Sequence, residues 1–343
     1  MKKLLNTLYV LSEDVYLALD GENVVILRDE ETAGRFPLHT LEQIVSFSYK
    51  GASPALMGAC ARKEIGLSFF SPQGRFLART SGIPYGNVLL RKEQYRISDD
   101  VDRSLSYAKA MILGKVFNCR WSLERTVRDH GLRVDIERIK EISGQLHQGL
   151  SGIRTCDTLD SLRGIEGELA SRYFAVFDDL IINQKEDFQF CGRNRRPPLD
   201  KVNALLSFAY TLLGNDCAGA LEGVGLDAYV GFLHSDRPGR KSLALDMMEE
   251  LRGIMADRFV LSLINRKIMK AAHFETQADG AVLLNEDGRK QFLSAWQQRK
   301  KEMITHPFLE EKLCWGLVPH IQAMLLARTI RGDLEGYPPF LWK

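Results

Sequence analysis

The strongest constraint on the fold is a change of hydrophobic period near residue 80. Before this point apolar residues alternate in short runs, which is typical of half-buried strands, whereas beyond it they recur at helical spacing to about residue 330. The sequence therefore predicts an α+β chain: a small β-strand domain at 1–80, a Gly/Pro linker at 81–87 and a larger all-α domain at 88–343. The predicted strands are TLYVL, VYLALD, VVILRD, IVSFSY, IGLSFF and RFLART, with one helix across SPALMGACARKE.

The predicted β-strand domain can form only a small hydrophobic core of its own. Short strands and one helix make a thin layer. We therefore expect this domain to serve dimerisation or assembly, and to be stabilised by a second copy or by docking on the helical domain.

Composition limits the classes of protein that fit. Of the 343 residues 45% are hydrophobic, enough for a sizeable core. The 46 Lys and Arg nearly balance the 44 Asp and Glu, so any binding of a polyanion must use local patches. The 6 cysteines show no CxxC and no zinc spacing, which favours reduced thiols in a cytosol. No apolar run approaches the roughly 18 residues of a membrane span, so we expect a cytoplasmic protein without a membrane partner.

An acidic segment around residue 250 is the first candidate site. If LALDMMEELRGIMADRFVL is one helix, positions three, four and seven apart share a face. The residues that would then lie within one arc are Asp246, Glu249, Glu250, Gly253 and Asp257. The alternative is a solvated acidic face on an amphipathic helix.

A glutamate on an apolar stripe is the second candidate. In LRGIEGELASRYFAVF, Glu166 shares a helical face with Leu169, Ala170, Tyr173 and Phe177. A buried unpaired carboxylate is costly, so Glu166 needs a partner. One hypothesis is a divalent cation whose shell the acidic helix and His234 complete, and such ligands suit Mn²⁺ or Mg²⁺. The alternatives are a salt bridge from Glu166 to a core arginine, and a purely structural role for His234.

Two basic, proline-containing loops indicate what such a metal could act on. One loop lies between His234 and the acidic helix, and the other is CGRNRRPPLDK. Positive loops beside a metal site fit a phosphodiester, although a solvated loop is the alternative. The basic residues concerned are Arg237, Arg240 and Lys241 in the first loop and Arg193, Arg195, Arg196 and Lys201 in the second.

Several of these segments together resemble a known family. LRGIEGELASRYF, NALLSFAYTLL, GLDAYVGFLHSDRPGRKSLALDMMEELR and RGDLEGYPPFLWK look like the CRISPR-associated integrase of spacer acquisition, most of all its subtype I-C branch. The likeness covers essentially the whole chain. It implies a β domain before a helical domain, a homodimer, and a heterohexamer with a small ferredoxin-like second adaptation protein. It further implies that the substrate is double-stranded DNA, namely the protospacer and the CRISPR repeat.

The resemblance also implies roles for individual residues. Glu166 of GIEG, His234 of GFLH and Glu249 of the following helix would bind the catalytic Mg²⁺ or Mn²⁺, with Asp246 as a nearby acidic participant. Glu249 stands where many relatives have aspartate. The positions that correspond to basic DNA contacts of the family are Arg163 and Arg237.

The implied activity is the joining of protospacer 3′-hydroxyl ends to the CRISPR array by transesterification. Two other functions fit the same residues. One is a metal-dependent nuclease that uses water on branched or single-stranded DNA. The other is a non-catalytic DNA-binding scaffold with a solvated acidic helix.

Overall fold

A computed structural model describes residues 7–71, 76–80, 88–194 and 197–343 of the chain. The predicted linker at 81–87 lies outside these residues. The chain forms two compact units. The first contains the described part of Met1–Tyr85 with Glu286–Glu302 and Trp315–Leu317, and the second contains the remainder.

Every predicted strand of the N-terminal region forms, and an additional strand lies among them. The strands are β1 (Thr7–Val10), β2 (Tyr16–Asp20), β3 (Asn23–Arg28), β4 (Glu31–Pro37), β5 (Gln43–Ser46), β6 (Gly66–Phe70) and β7 (Phe76–Arg79). β2, β3 and β4 form an antiparallel sheet, and the second sheet has the order β1-β5-β6-β7. In that sheet β5 pairs parallel with both β1 and β6, and β7 is antiparallel to β6.

The helices follow in chain order. They are α1 (Pro54–Arg62), α2 (Val88–Asp99), α3 (Val101–His130), α4 (Ile136–Thr155), α5 (Leu159–Ala175), α6 (Lys201–Gly223), α7 (Ser242–Leu251), α8 (Arg258–Asn265), α9 (Glu286–Lys301) and α10 (Val318–Ile330). Two short hairpins interrupt the helical region: β8 (Phe274–Thr276) with β9 (Val282–Leu284), and β10 (Met303–Thr305) with β11 (Lys312–Cys314). The predicted order of a strand-rich region before a helical one is confirmed.

Capping residues explain where the main helices begin. Asp100, Asp135, Thr158 and Asp200 each accept a backbone N–H from the first turn of the helix that follows, α3, α4, α5 and α6 respectively. The cysteines are free, as expected of reduced thiols. Within the part of the chain that the structure describes, no helix is both long and apolar enough to cross a membrane.

The N-terminal unit takes its core from two distant parts of the sequence. Leu17, Val24 and Ile44 are fully buried between its elements. From the distant part, α9 contributes the buried Phe292 and Trp296 to the same unit. The sequence division at residue 80 placed α9 with the helical domain, because its apolar spacing is helical whichever unit it joins. A deletion of 1–80 would therefore also expose the buried face of α9.

Candidate metal centre

The acidic residues of α7 are buried rather than solvated. Asp246, Glu249 and Glu250 are 0%, 4% and 0% exposed. The solvated-face alternative is therefore wrong for this helix. A π-helical turn, Arg252–Asp257, follows α7 and changes the direction of the side chains beyond it. As a result Asp257 does not join the acidic cluster of α7 and instead accepts a hydrogen bond from the hydroxyl of Tyr210 on α6.

Asp246 holds the loop that carries His234. One carboxylate oxygen accepts the backbone N–H groups of Phe232 at 2.6 Å and Leu233 at 2.9 Å. The other accepts the N–H of His234 at 3.0 Å and lies 2.5 Å from its Nδ1. With Nδ1 engaged by the carboxylate, Nε2 is the ring nitrogen left to bind a ligand. Asp246 thus acts as a positioning residue, which gives a concrete form to its predicted role as a nearby acidic participant.

The loop approaches α7 closely because residue 231 is glycine. A Cβ built on Gly231 would lie 2.7 Å from Oδ2 of Asp246 and 2.9 Å from the backbone of Ser242. Any larger residue would push the loop away from Asp246. On the other side of the loop, Arg163 of α5 donates from Nε and Nη2 to the carbonyl of Leu233 at 3.1 and 2.6 Å.

Glu249 is a buried carboxylate with two cationic neighbours. Nη2 of Arg252 lies 2.6 Å from its Oε1, and Nζ of Lys115 lies 2.6 Å from its Oε2. Burial by itself would raise the pKa of Glu249, but Arg252 and Lys115 outweigh it and lower the pKa to about 2.

Glu166 and Glu249 meet at the same ammonium group. Lys115 of α3 also contacts Oε1 of Glu166, so its Nζ lies between a carboxylate of α5 and one of α7. Burial would lower the pKa of Lys115, but Glu249 and Glu166 hold it above its ordinary value. The predicted partner of Glu166 is therefore a basic side chain in this structure, and it is a lysine rather than the arginine considered from the sequence.

The donor set fits a hard divalent cation, although the ligands are not closed into a cluster. No group of three His, Cys, Asp or Glu side chains that could hold a metal occurs among the residues described. Two carboxylates and an imidazole are nevertheless the oxygen and nitrogen donors that Mg²⁺ and Mn²⁺ accept. Oε2 of Glu249 is buried and accepts no well-aligned hydrogen bond despite the nearby ammonium. That oxygen already faces a cation, the ammonium of Lys115.

The predicted DNA-binding residues have different surroundings. Arg237 is exposed at a turn that Gly239 closes with φ +74°, while Arg240 and Lys241 are partly buried. Arg163 is partly committed to the carbonyl of Leu233.

Arg193 of the second basic loop makes its contacts within the protein. Arg193 donates to the side chains of Asn203 and Ser207 and stacks on Tyr210 with 5.1 Å between the guanidinium carbon and the ring centroid. Most of the donors of Arg193 are therefore used within the protein, and its contact with DNA stays a prediction. Arg195 and Arg196 lie outside the described residues.

Glu250 holds the last residues of the chain. Its carboxylate accepts the backbone N–H of Phe340 at 2.8 Å, Nε2 of Gln322 at 3.1 Å and the hydroxyl of Tyr337. Burial raises the pKa of Glu250 to about 7, although these donors act in the opposite direction. The neighbouring side chain on α7 thus anchors a separate segment, not the candidate metal centre.

The raised pKa of Glu250 predicts a pH dependence of stability. The carboxyl group of Glu250 keeps its proton up to about pH 7 in the folded protein, whereas it releases the proton near pH 4.5 in the unfolded chain. Its contribution to stability is therefore present below pH 4.5 and is lost as the pH rises through 7. Between pH 4.5 and pH 8 we expect the free energy of unfolding of wild type, measured with urea, to fall by about 3 kcal/mol relative to that of Glu250→Gln. A difference between the two proteins that does not change with pH would contradict the raised pKa.

Comparison with known proteins identifies the family. The family model described as CRISPR associated protein Cas1 matches residues 8–298. The chain belongs to this family. Curated Cas1 relatives are 48% identical over 343 residues in Chlorobaculum tepidum and 51% identical over 347 residues in Rhodospirillum rubrum, each with both chains fully covered. Both relatives are described as CRISPR-associated endonucleases. The family expected from the sequence motifs is confirmed, and the subtype stays a prediction.

Solved structures share the fold of this Cas1 family member. A casposase bound to its integration product has a TM-score of 0.85 at 22% identity, and covers 98% of this chain and 94% of its own. A Cas1 protein from Thermotoga maritima has a TM-score of 0.80 at 20% identity, with 95% and 97% covered. A Cas6-RT-Cas1–Cas2 complex has a TM-score of 0.81 at 20% identity, and the match covers 98% of this chain and 36% of that one.

Sequence reasoning missed Lys115, although the sequence held a signal for it. Lys115 lies between the buried Ile112 and Val116 of an apolar helix, just as Glu166 lies on an apolar stripe of α5. Two opposite charges on the apolar faces of separate helices favour a pairing between them. The pair becomes recognisable only once both helices are known to pack at the same place.

Proposed function

We propose that this Cas1 family member is a metal-dependent DNA endonuclease and integrase that joins protospacer 3′-hydroxyl ends to a CRISPR array. The observation that carries the proposal is that Glu166 of α5 and Glu249 of α7 meet at Lys115, while the buried Asp246 of α7 orients His234. Glu166, Glu249 and His234 would hold Mg²⁺ or Mn²⁺. Family membership supports the reaction class, since the relatives are described as endonucleases and a structural neighbour is a casposase bound to integration product.

The residues of the site have distinct roles in the proposed transesterification. When bound, the divalent ion would stabilise charge on the scissile phosphate and favour the alkoxide form of the attacking hydroxyl. Asp246 fixes the orientation of His234. Arg237, Arg240 and Lys241 would attract the phosphates of the backbone. One P–O bond forms to the 3′-oxygen as another breaks to its leaving oxygen, so the number of phosphodiesters is conserved and the reaction is reversible.

A pair of DNA donors tests this reaction against its alternatives. With Mn²⁺, a donor ending in a 3′-hydroxyl should give longer, joined strands on a repeat-containing target, and a matched 3′-deoxy donor should give none. Shortened strands with either donor would favour the nuclease that uses water. Products that do not respond to Mg²⁺ or Mn²⁺ would favour the non-catalytic scaffold, which the burial of Asp246 and Glu249 already disfavours.

We propose further that the protein acts as a homodimer that assembles with a small ferredoxin-like second protein into a heterohexamer on double-stranded DNA. Structural neighbours that are named as a Cas1–Cas2 complex and as a Cas1–DNA complex support these partners. The subtype I-C assignment and a cytoplasmic location are part of the same proposal. Sedimentation of the protein alone and with the second protein would test the stoichiometry.

The basic turn before α7 should govern the salt dependence of DNA binding. We expect Arg237→Gln, Arg240→Gln and Lys241→Gln together to weaken binding to all DNA sequences alike. The slope of log K against log salt should fall by roughly 0.9 for each DNA phosphate that the variant no longer neutralises. Fluorescence anisotropy from low to moderate salt measures both effects.

The exposed Lys290 and Lys301 of α9 provide a control for this experiment, because they belong to the other compact unit. Their replacement by glutamine should leave the slope nearly unchanged. If the triple variant of the basic turn keeps the wild-type slope, the turn does not contact DNA.

A further inference from the structure

The position of Lys115 depends on a close approach between α3 and α7. The preceding residue is Gly114, and a Cβ there would lie only 2.9 Å from Cβ of Glu250. This approach brings α3 against the helix that carries Glu249. Lys115 is 6% exposed, and its ammonium reaches both Glu249 and Glu166. A side chain in this position is a fixed part of the site, because its buried charge is stabilised by these carboxylates.

The two carboxylates that meet at Lys115 already have two cationic partners before any metal binds. The two carboxylates of Glu166 and Glu249 carry two negative charges, and Lys115 and Arg252 carry two positive charges. A divalent ion added to this group would leave two positive charges in excess. Like charges a few Å apart in a poorly solvated site repel strongly, so metal and ammonium cannot share the space between these carboxylates at low cost.

Lys115 also lines a small cavity, together with Tyr173, Arg252 and Asp257. Asp257, which accepts the hydroxyl of Tyr210, is the carboxylate on the wall of that cavity. An ammonium displaced from Glu166 and Glu249 would have this carboxylate as a second acceptor.

We propose that Lys115 is an internal counter-ion that occupies the cation position between Glu166 and Glu249 and must be displaced when the divalent metal binds. Lys115 thereby keeps the two carboxylates together in the metal-free protein and sets the affinity of the site for metal. This inference rests on the proposed metal-dependent function.

Metal binding to Lys115→Met tests the proposal without DNA or activity. We expect calorimetry with Mn²⁺ to show at least about tenfold tighter binding than wild type, because the competing charge is gone. The metal-free variant should melt at a lower temperature than wild type, and Mn²⁺ should raise its melting temperature more than that of wild type. Equal or weaker Mn²⁺ binding would overturn the proposal, since Lys115 would then support the metal instead of competing with it.

Two further variants complete the test. Lys109→Met makes the same change on the same helix away from the carboxylates, where Nζ donates to the carbonyl of Arg154, and should bind Mn²⁺ as wild type does. Lys115→Arg retains the charge and is the variant to use if the methionine protein does not fold. A guanidinium can pair with both carboxylates at once, so we expect weaker Mn²⁺ binding than in wild type, and unchanged binding would count against displacement.

The same measurements separate this inference from the function on which it rests. If Mn²⁺ binds wild type and Glu166→Gln equally, the metal site itself is placed wrongly. If Glu166→Gln loses Mn²⁺ and Lys115→Met does not gain affinity, the site is right and only the role of Lys115 is overturned.

Discussion

Glu166→Gln is expected to reduce strand joining by at least about 10²-fold while the protein remains folded. The substitution removes one negative charge that the reaction needs and retains the size of the side chain. Glu166 is partly exposed, and Lys115 keeps its contact with Glu249, so the free energy of unfolding should change by only about 1 kcal/mol. Joining assays with a 3′-hydroxyl donor and urea unfolding measure the two quantities separately.

Glu168 provides a matched control on the same helix. Its carboxylate is exposed and pairs with Arg172, so Glu168→Gln removes an equal charge outside the site. This variant should join strands at the wild-type rate. Wild-type joining by Glu166→Gln at millimolar Mn²⁺ would exclude Glu166 as a metal ligand.

Glu249 would give a less direct test of the same site. If the site were composed of carboxylates alone, removing one would relieve repulsion and favour the metal-free fold. The structure instead places Glu249 between Lys115 and Arg252, so Glu249→Ala would leave two buried cations without this partner. Breaking such a pair costs about 3–5 kcal/mol, and lost activity could then reflect lost stability.

The period of the apolar residues predicted most of the strands, but not β4. Apolar and polar residues do not alternate along β4, and nearly all of its residues are exposed. β4 lies at the edge of the β2-β3-β4 sheet, where pairing with β3 alone maintains it. Such a strand is specified by the hairpin it completes, which a local pattern does not reveal.

Helical periodicity placed Asp246 and Glu249 on one helix, as the structure has them, but failed beyond Leu251. The prediction assumed a continuous α-helix, whereas Arg252–Asp257 is a π-helical turn. In this turn Gly253 packs against α3, where a Cβ would lie 2.9 Å from Sγ of Cys119. The direction of Asp257 is therefore determined by packing between helices and not by its spacing from Glu249.

Deletion of residues 337–343 is expected to have the largest effect on stability. Phe340 is fully buried, and its carbonyl accepts from Nδ2 of Asn118 at 2.7 Å. Trp342 donates its N–H to Oδ1 of Asn118 at 3.0 Å, and its ring lies 4.5 Å from the guanidinium carbon of Arg125. Loss of a buried aromatic side chain lowers the free energy of unfolding by about 3–5 kcal/mol, and the loss of these hydrogen bonds to Asn118 adds to it. We therefore expect a total loss of at least about 5 kcal/mol.

Graded variants distinguish the contributions to this loss. Removal of Lys343 alone should cost less than about 1 kcal/mol, because this residue is exposed. Phe340→Ala should cost about 3–5 kcal/mol, which is most of the effect of the full deletion. Glu250, the residue after Glu249, holds this segment through Phe340 and Tyr337, so the full deletion should also weaken Mn²⁺ binding. If the truncated protein has the same midpoint of urea unfolding as wild type, the segment contributes nothing to the stability of α7.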